Sequence, residues 1–135
     1  MNYRPYKSVS PRIPKLRKVV GFVDFLKGRF KSLYQPRQHV TIDERMVKSR
    51  HRSGIRQYIR DKPTKWGLKY WVLADSSNAY VADFNIYAGR AEGGISNNSL
   101  GYDVVRKLMR DYENQGYHLF CDNFLYICHS CMSLV

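Results

Sequence analysis

The chain has 135 residues, a formal net charge of +12, and is 44% hydrophobic, 14% aromatic and 25% charged. That is the length of one domain or less, with a globular composition that argues against wholesale disorder. No apolar run reaches the roughly 18 residues of a membrane span. The basic start MNYRPYKSVSPRIPK lacks the apolar stretch of a secretory signal, and three cysteines cannot staple a secreted domain, which points to a reducing compartment.

The charge is divided unevenly. Residues 1–70 hold 19 of the 23 Lys and Arg against Asp24, Asp43, Glu44 and Asp61, a balance of +15, whereas residues 71–135 hold four against seven acids, a balance of −3. Such a split suggests a polyanion facing one side of the molecule, with a merely solvated basic surface as the alternative.

Residues 1–15 are basic, Pro-bearing and aperiodic, and read as a flexible lead-in to a domain over 16–135. From Leu16, the apolar residues Val19, Phe22, Val23, Leu26, Phe30 and Leu33 fall at helical spacing, which places Lys18, Lys27, Arg29 and Lys31 on the other faces; Pro36 ends the helix. HVTIDERMVKS reads as a strand with Val40, Ile42 and Met46 on its apolar side. Glu44 shares that side, and Asp43 sits in a strand although Asp is disfavoured there. Residues 49–67 form a long basic connection carrying Arg50, Arg52, Arg56, Arg60, Lys62 and Lys65, in which IRQYI can make a short extended piece. KYWVLAD and YVADFNIYA form a hairpin around Ser76-Ser77-Asn78, and GRAEGGISNNS is a loop. A helix follows with Leu100, Val104, Val105, Leu108, Met109 and Tyr112 on one stripe, Ser99 as N-cap and Gly116 as C-terminal stop. YHLFCD is a further strand, and FLYICHSCMSLV an apolar element.

The order, helix then β-β-β-α-β, predicts a mixed α/β sheet, the first part of a ribonuclease H-like fold left incomplete at the C-terminus. If the strand ending at Asp122 pairs parallel with the strand holding Asp43, the two carboxylates meet at one edge of the sheet. Paired carboxylates suit Mg²⁺, a hard cation that takes oxygen ligands, and two such metals serve phosphodiester chemistry. Without that pairing, the two are a surface Asp at a strand end and a stray Asp within a strand.

The blocks IDERMV, QYI–DKPTKWGLKYWVLADS, YVADFNIYAGR, LGYDVV and HLFCDNF closely resemble, in order and spacing, the catalytic domain of piggyBac-type transposases and the proteins derived from them, over about Lys15 to Asn123. The resemblance implies a ribonuclease H-like core that holds divalent metal with three aspartates and cuts and joins DNA at TTAA sequences. It also implies a nuclear location and a homodimeric assembly in relatives. The family's first two aspartates fall on Asp43 and Asp122, and its third lies on a later element beyond the CDN motif. The chain therefore reads as a truncated transposase-derived protein, inactive alone. The alternative is a non-catalytic DNA-binding or protein-interaction domain. Ser49-Arg50-His51-Arg52 and Arg60 depart from the family's usual Phe-Lys-Gly-Arg and Pro.

The basic loop would lie beside the active site, with Arg50, Arg52, Arg56, Lys62 and Lys65 as phosphate contacts that confer affinity without reading sequence. Trp66, Tyr70 and Trp71 read as core aromatics. Cys128-His129-Ser130-Cys131 offers a C-x2-C pair, but a structural zinc site needs four ligands, and Cys121 and His118 sit on a strand of the sheet. Thiols on an apolar segment are the simpler reading.

Overall fold

Five strands make one mixed sheet in the computed structural model, which describes residues 14–89 and 100–122. The strands are β1 (His39–Lys48), β2 (Gln57–Tyr58), β3 (Trp66–Asp75), β4 (Val81–Tyr87) and β5 (His118–Cys121), with helices α1 (Val20–Leu33) and α2 (Leu100–Met109). β3 pairs antiparallel with β1 on one side and with both β2 and β4 on the other, while β5 pairs parallel with β1. This antiparallel opening, followed by a helical crossover into a parallel strand, is the order expected of the first part of a ribonuclease H-like fold.

Strand alternation divides the sheet into two unlike faces. One carries Val40, Ile42, Trp71 and Leu73, all buried, and α2 closes it with Val104, Val105, Leu108 and Met109. Leu119 and Cys121 of β5 pack against the same cluster. The amphipathic stripe of α2 is as expected except at its ends. Leu100 is exposed, and Tyr112 lies past the helix in a turn, where it stays buried edge-on against Tyr117 at 5.4 Å. Gly116 follows with φ +75°, a left-handed conformation that reverses the chain into β5. Gly67 serves a different need. A Cβ there would stand 2.4 Å from the Val47 carbonyl oxygen, so β1 and β3 can pair closely at that end only with glycine.

The expected orientation of α1 is met only in part. A 3-10 turn over Pro14–Leu16 precedes the helix, and its buried residue is Lys27, while Phe22, Phe25 and Leu33 are each more than 60% exposed. The cause lies in β4. Between Leu73 and Ala74 the pairing slips by one residue, so that both Ala82 and Asp83 turn inward. A buried carboxylate demands a cation, and α1 supplies two. Lys27 Nζ lies 3.2 Å from Asp83 Oδ1 and donates to Asn85 Oδ1 at 3.0 Å; Lys31 Nζ lies 3.1 Å from Asp83 Oδ2 and also bonds Asp111. Burial works against the Lys31 ammonium, but Asp111 and Asp83 outweigh it and hold its pKa above the ordinary lysine range. Val23, Leu26 and Phe30 nonetheless stay half-buried, Phe30 against the rings of Tyr80 and Phe84, so Lys27 shares the inward side with part of the apolar stripe.

The lead-in before Pro14, the loop and cap over 90–99, and the apolar segment with Cys128, His129 and Cys131 lie outside the described residues.

Candidate functional site

The register of β5 on β1 decides where the two aspartates stand. His39 pairs with His118, Val40 with Leu119, Thr41 with Phe120 and Ile42 with Cys121. Asp43 is the next residue of β1, and Asp122 is the residue that follows the last one of β5, so the parallel register leads both toward one edge of the sheet. Both side chains are exposed, and alternation puts them on the sheet face opposite the α2 core. The Glu44 backbone N–H donates to Asp43 Oδ1 at 2.7 Å.

Glu44 is directed away from this pair. It lies on the core side, as the sequence indicates, and Lys69 Nζ neutralises it at 2.7 Å. Lys69 in turn lies over the rings of Trp71 and Tyr87, at 4.4 and 5.4 Å from their centroids. Of the three charged residues in IDER, only Asp43 and Arg45 are therefore fully exposed.

Two hydrogen-bonded clamps hold β1, one against β5 and one against the end of β3. In the first, Tyr117 sits just before β5 and its hydroxyl donates to Pro36 O at 3.3 Å while accepting from Gln35 Nε2; next to it, His118 N–H donates to Gln38 O at 2.7 Å. The second is Asp75, fully buried at the end of β3. Its Oδ2 accepts from Arg37 N–H at 2.7 Å and from the Tyr34 hydroxyl at 2.8 Å, and its Oδ1 from Ser77 N–H at 2.8 Å and Ser77 Oγ at 2.6 Å. Burial by itself would raise the Asp75 pKa, but these four donors hold it well below the usual carboxylate range. Asp75 thus ties the segment entering β1 to the β3–β4 turn, and β1 carries Asp43.

The basic connection is more ordered than its composition suggests. Ile55 is buried with Leu16 and Ala88 and packs against Leu68 and Ile86, which pins the loop to the sheet. β2 pairs with the start of β3, Gln57 with Gly67 and Tyr58 with Trp66, and Ile59 N–H donates to Lys65 O at 2.8 Å. Residues 59–65 are therefore a hairpin tip carrying Arg60, Lys62 and Lys65, while Arg50 and Arg52 lie exposed on the preceding loop. Arg56 is half-buried, its guanidinium 4.6 Å from the centre of the Trp66 ring.

A family model described as Transposase IS4 matches residues 7–134. The chain belongs to the Transposase IS4 family. A solved piggyBac transposase, in a synaptic complex with hairpin DNA, is similar at 28% identity with a TM-score of 0.79. The similarity covers 92% of this chain and 27% of that one, so this transposase-family chain spans about a quarter of the solved relative's length.

Against this background, the sequence reading missed three groups in the transposase-family chain. Asp75 was legible in principle, because it follows Trp71 and Leu73 at strand spacing and precedes Ser-Ser-Asn, a turn that suits a capping carboxylate. The Lys27–Asp83 pair depends on the slip in β4 and has no local signal. The third group corrects an expectation: Trp71 is a core residue at 2% exposure, but Trp66 is 50% exposed and Tyr58 52%. Trp66 begins its strand next to a glycine and faces away from α2, so strand alternation from buried Trp71 already separates the two indoles.

Proposed function

We propose that this chain provides the opening part of a DNA transposase catalytic core, with Asp43 and Asp122 as two of its metal-holding carboxylates. The observation that supports the reading is the parallel β1–β5 register, which runs to Ile42 and Cys121 and so leads residues 79 positions apart in sequence toward one edge of the sheet. An oxygen-only pair of carboxylates fits a hard divalent cation such as Mg²⁺, with water and substrate phosphate completing its shell. When bound, the metal supplies activation of an attacking oxygen and stabilisation of a leaving oxygen. This chain's own contribution is to fix the two carboxylates on neighbouring strands and to turn Glu44 away onto Lys69. Arg50, Arg52, Arg56, Lys62 and Lys65 hold DNA phosphates; the DNA in the solved relative's complex supports a DNA partner. In the nucleus, with TTAA-bearing DNA and a homodimeric partner, such a core would act within a longer assembly.

Two carboxylates alone hold metal weakly, so the 135-residue chain in isolation binds DNA without cutting it. A nicking assay on supercoiled plasmid with Mg²⁺ or Mn²⁺ tests this. No nicking is expected, and nicking that disappears in Asp43→Asn would overturn the inactivity while upholding the site. The basic loop pinned by Ile55 favours a second reading, a DNA-binding domain in which the carboxylates have no role. That reading expects salt-sensitive duplex binding with no response to Mg²⁺ that depends on Asp43.

A further inference from the structure

Tryptophan is on average a highly buried residue, and two half-exposed aromatic rings in contact on a basic surface call for an explanation. Tyr58 and Trp66 are directly paired across β2 and β3, with ring centroids 4.9 Å apart and planes at 51°. Arg56 lies over the indole at 4.6 Å, and Arg60, Lys62 and Lys65 occupy the turn that joins the two strands. A cross-strand aromatic pair stabilises a hairpin, but stabilisation alone does not require half of each ring to stay in water among cations. Aromatic rings set in a positively charged groove are the arrangement that holds unpaired nucleotides, because every base offers a π-face whatever its identity.

Position strengthens the reading. Trp66 is six residues along β3 from Val72, the partner of Asp43, which amounts to about 20 Å along the sheet. Alternation places Trp66 and Asp43 on the same face, with Arg45 and Val47 of β1 between them.

We propose that Tyr58 and Trp66, buttressed by Arg56, form a stacking platform for unpaired DNA bases. It rests on the reading that this chain binds DNA, and names the part of the strand it grips. The basic turn neutralises phosphates on either side, while the rings distinguish an open strand from a duplex whose bases are already stacked on one another.

The test uses the full 135-residue chain, an oligothymidylate of about 16 nucleotides and a duplex of equal length at low salt, followed by tryptophan emission. Trp71 is buried, so quenching on binding reports chiefly on Trp66. Oligothymidylate is expected to quench this emission. Trp66→Ala and Tyr58→Ala are expected to weaken its binding by about 5- to 100-fold each while leaving duplex binding within about twofold. Trp66→Phe keeps a ring and retains most of the affinity. Binding of both DNAs without quenching, or equal losses for both in Trp66→Ala, overturns the platform and leaves DNA binding standing. Failure to bind either DNA overturns both. The wild-type quench needs no variant, so the outcome does not depend on how the substitutions affect folding.

Discussion

Replacing Asp75 by asparagine keeps the size and shape of the side chain and removes one acceptor oxygen. The carboxylate accepts four hydrogen bonds, two on each oxygen, and each oxygen serves one backbone N–H and one hydroxyl. An asparagine can satisfy one such pair. On the other side, the Tyr34 or Ser77 hydroxyl can rotate to accept from the new NH₂, but the backbone N–H of Arg37 or Ser77 cannot. Leaving that buried donor unpaired costs about 1–3 kcal/mol, and the surviving bonds lose their charge assistance. A total of about 2–4 kcal/mol is expected, a large share of the roughly 7–20 kcal/mol typical of a chain of this length. Urea unfolding should show a lower midpoint with an unchanged slope. The pH dependence provides a second check. Because the folded pKa of Asp75 lies below the unfolded value of about 3.9, its stabilisation is complete above about pH 5 and is lost as pH falls through the unfolded and then the folded value. The asparagine variant has no such titration, so the gap between the two proteins should be constant from about pH 5 to 8 and narrow in acid. A gap below about 0.5 kcal/mol at neutral pH, or one that widens on acidification, would refute the reasoning.

Three further outcomes are expected. Lys27→Met should cost about 2–3 kcal/mol, less than a fully broken buried pair because Lys31 still neutralises Asp83, and a cycle with Asp83→Asn should show coupling above about 1 kcal/mol in thermal or urea unfolding. Gly67→Ala should destabilise by about 1–3 kcal/mol or more, since the new methyl meets main chain rather than a flexible side chain; loss of amide protection at Val47 and Lys48 would locate the damage. Asp43→Asn should tighten metal-free DNA binding by a few-fold, through loss of a charge that repels phosphate, and should abolish any gain on adding Mg²⁺, read by anisotropy across a magnesium titration.

Local patterns carried the strands well, because α2 closes one face of the sheet, whereas the other is covered only where the Ile55 loop packs on Leu68 and Ile86. Val40 and Ile42 alternate with Thr41 and Asp43, and Trp71 and Leu73 with Val72, so period two was visible. It even assigned Glu44 to the core side, where Lys69 meets it. The helix before the sheet misled for the opposite reason. Its apolar spacing is real, but its orientation is set by Asp83, more than fifty residues later, through a one-residue slip that no window of local sequence contains. The pairing of Asp43 with Asp122 is equally non-local, and the composition could only state it conditionally; the family blocks placed both residues by their order. The basic loop was legible as charge but not as shape. Ile55 was legible only as the start of a short extended piece, and its contact with Leu16 and Ala88 shows it to be the pin that gives the loop a fixed place.

For the proposed DNA-binding role, the division of the sheet into two faces bears on how one small surface could attract phosphate and still carry two carboxylates. Asp43 and Asp122, led toward one edge of the sheet by the β1–β5 register, both repel phosphate. The hairpin cations stand about 20 Å away along the strands, beyond a Debye length of about 8 Å at physiological salt, and so cannot cancel that repulsion. Arg45, two residues from Asp43 on the same face, offers a nearer positive charge, but a single exposed cation is worth little. On the proposed reading, phosphate would be drawn first to the hairpin and loop, where Arg60, Lys62 and Lys65 outnumber Asp61, and would approach the carboxylates only once a divalent cation inverted the local field. Under the proposed function, DNA binding and metal binding would then be distinct events on one face, and the second would decide whether the strand held by the first comes near Asp43.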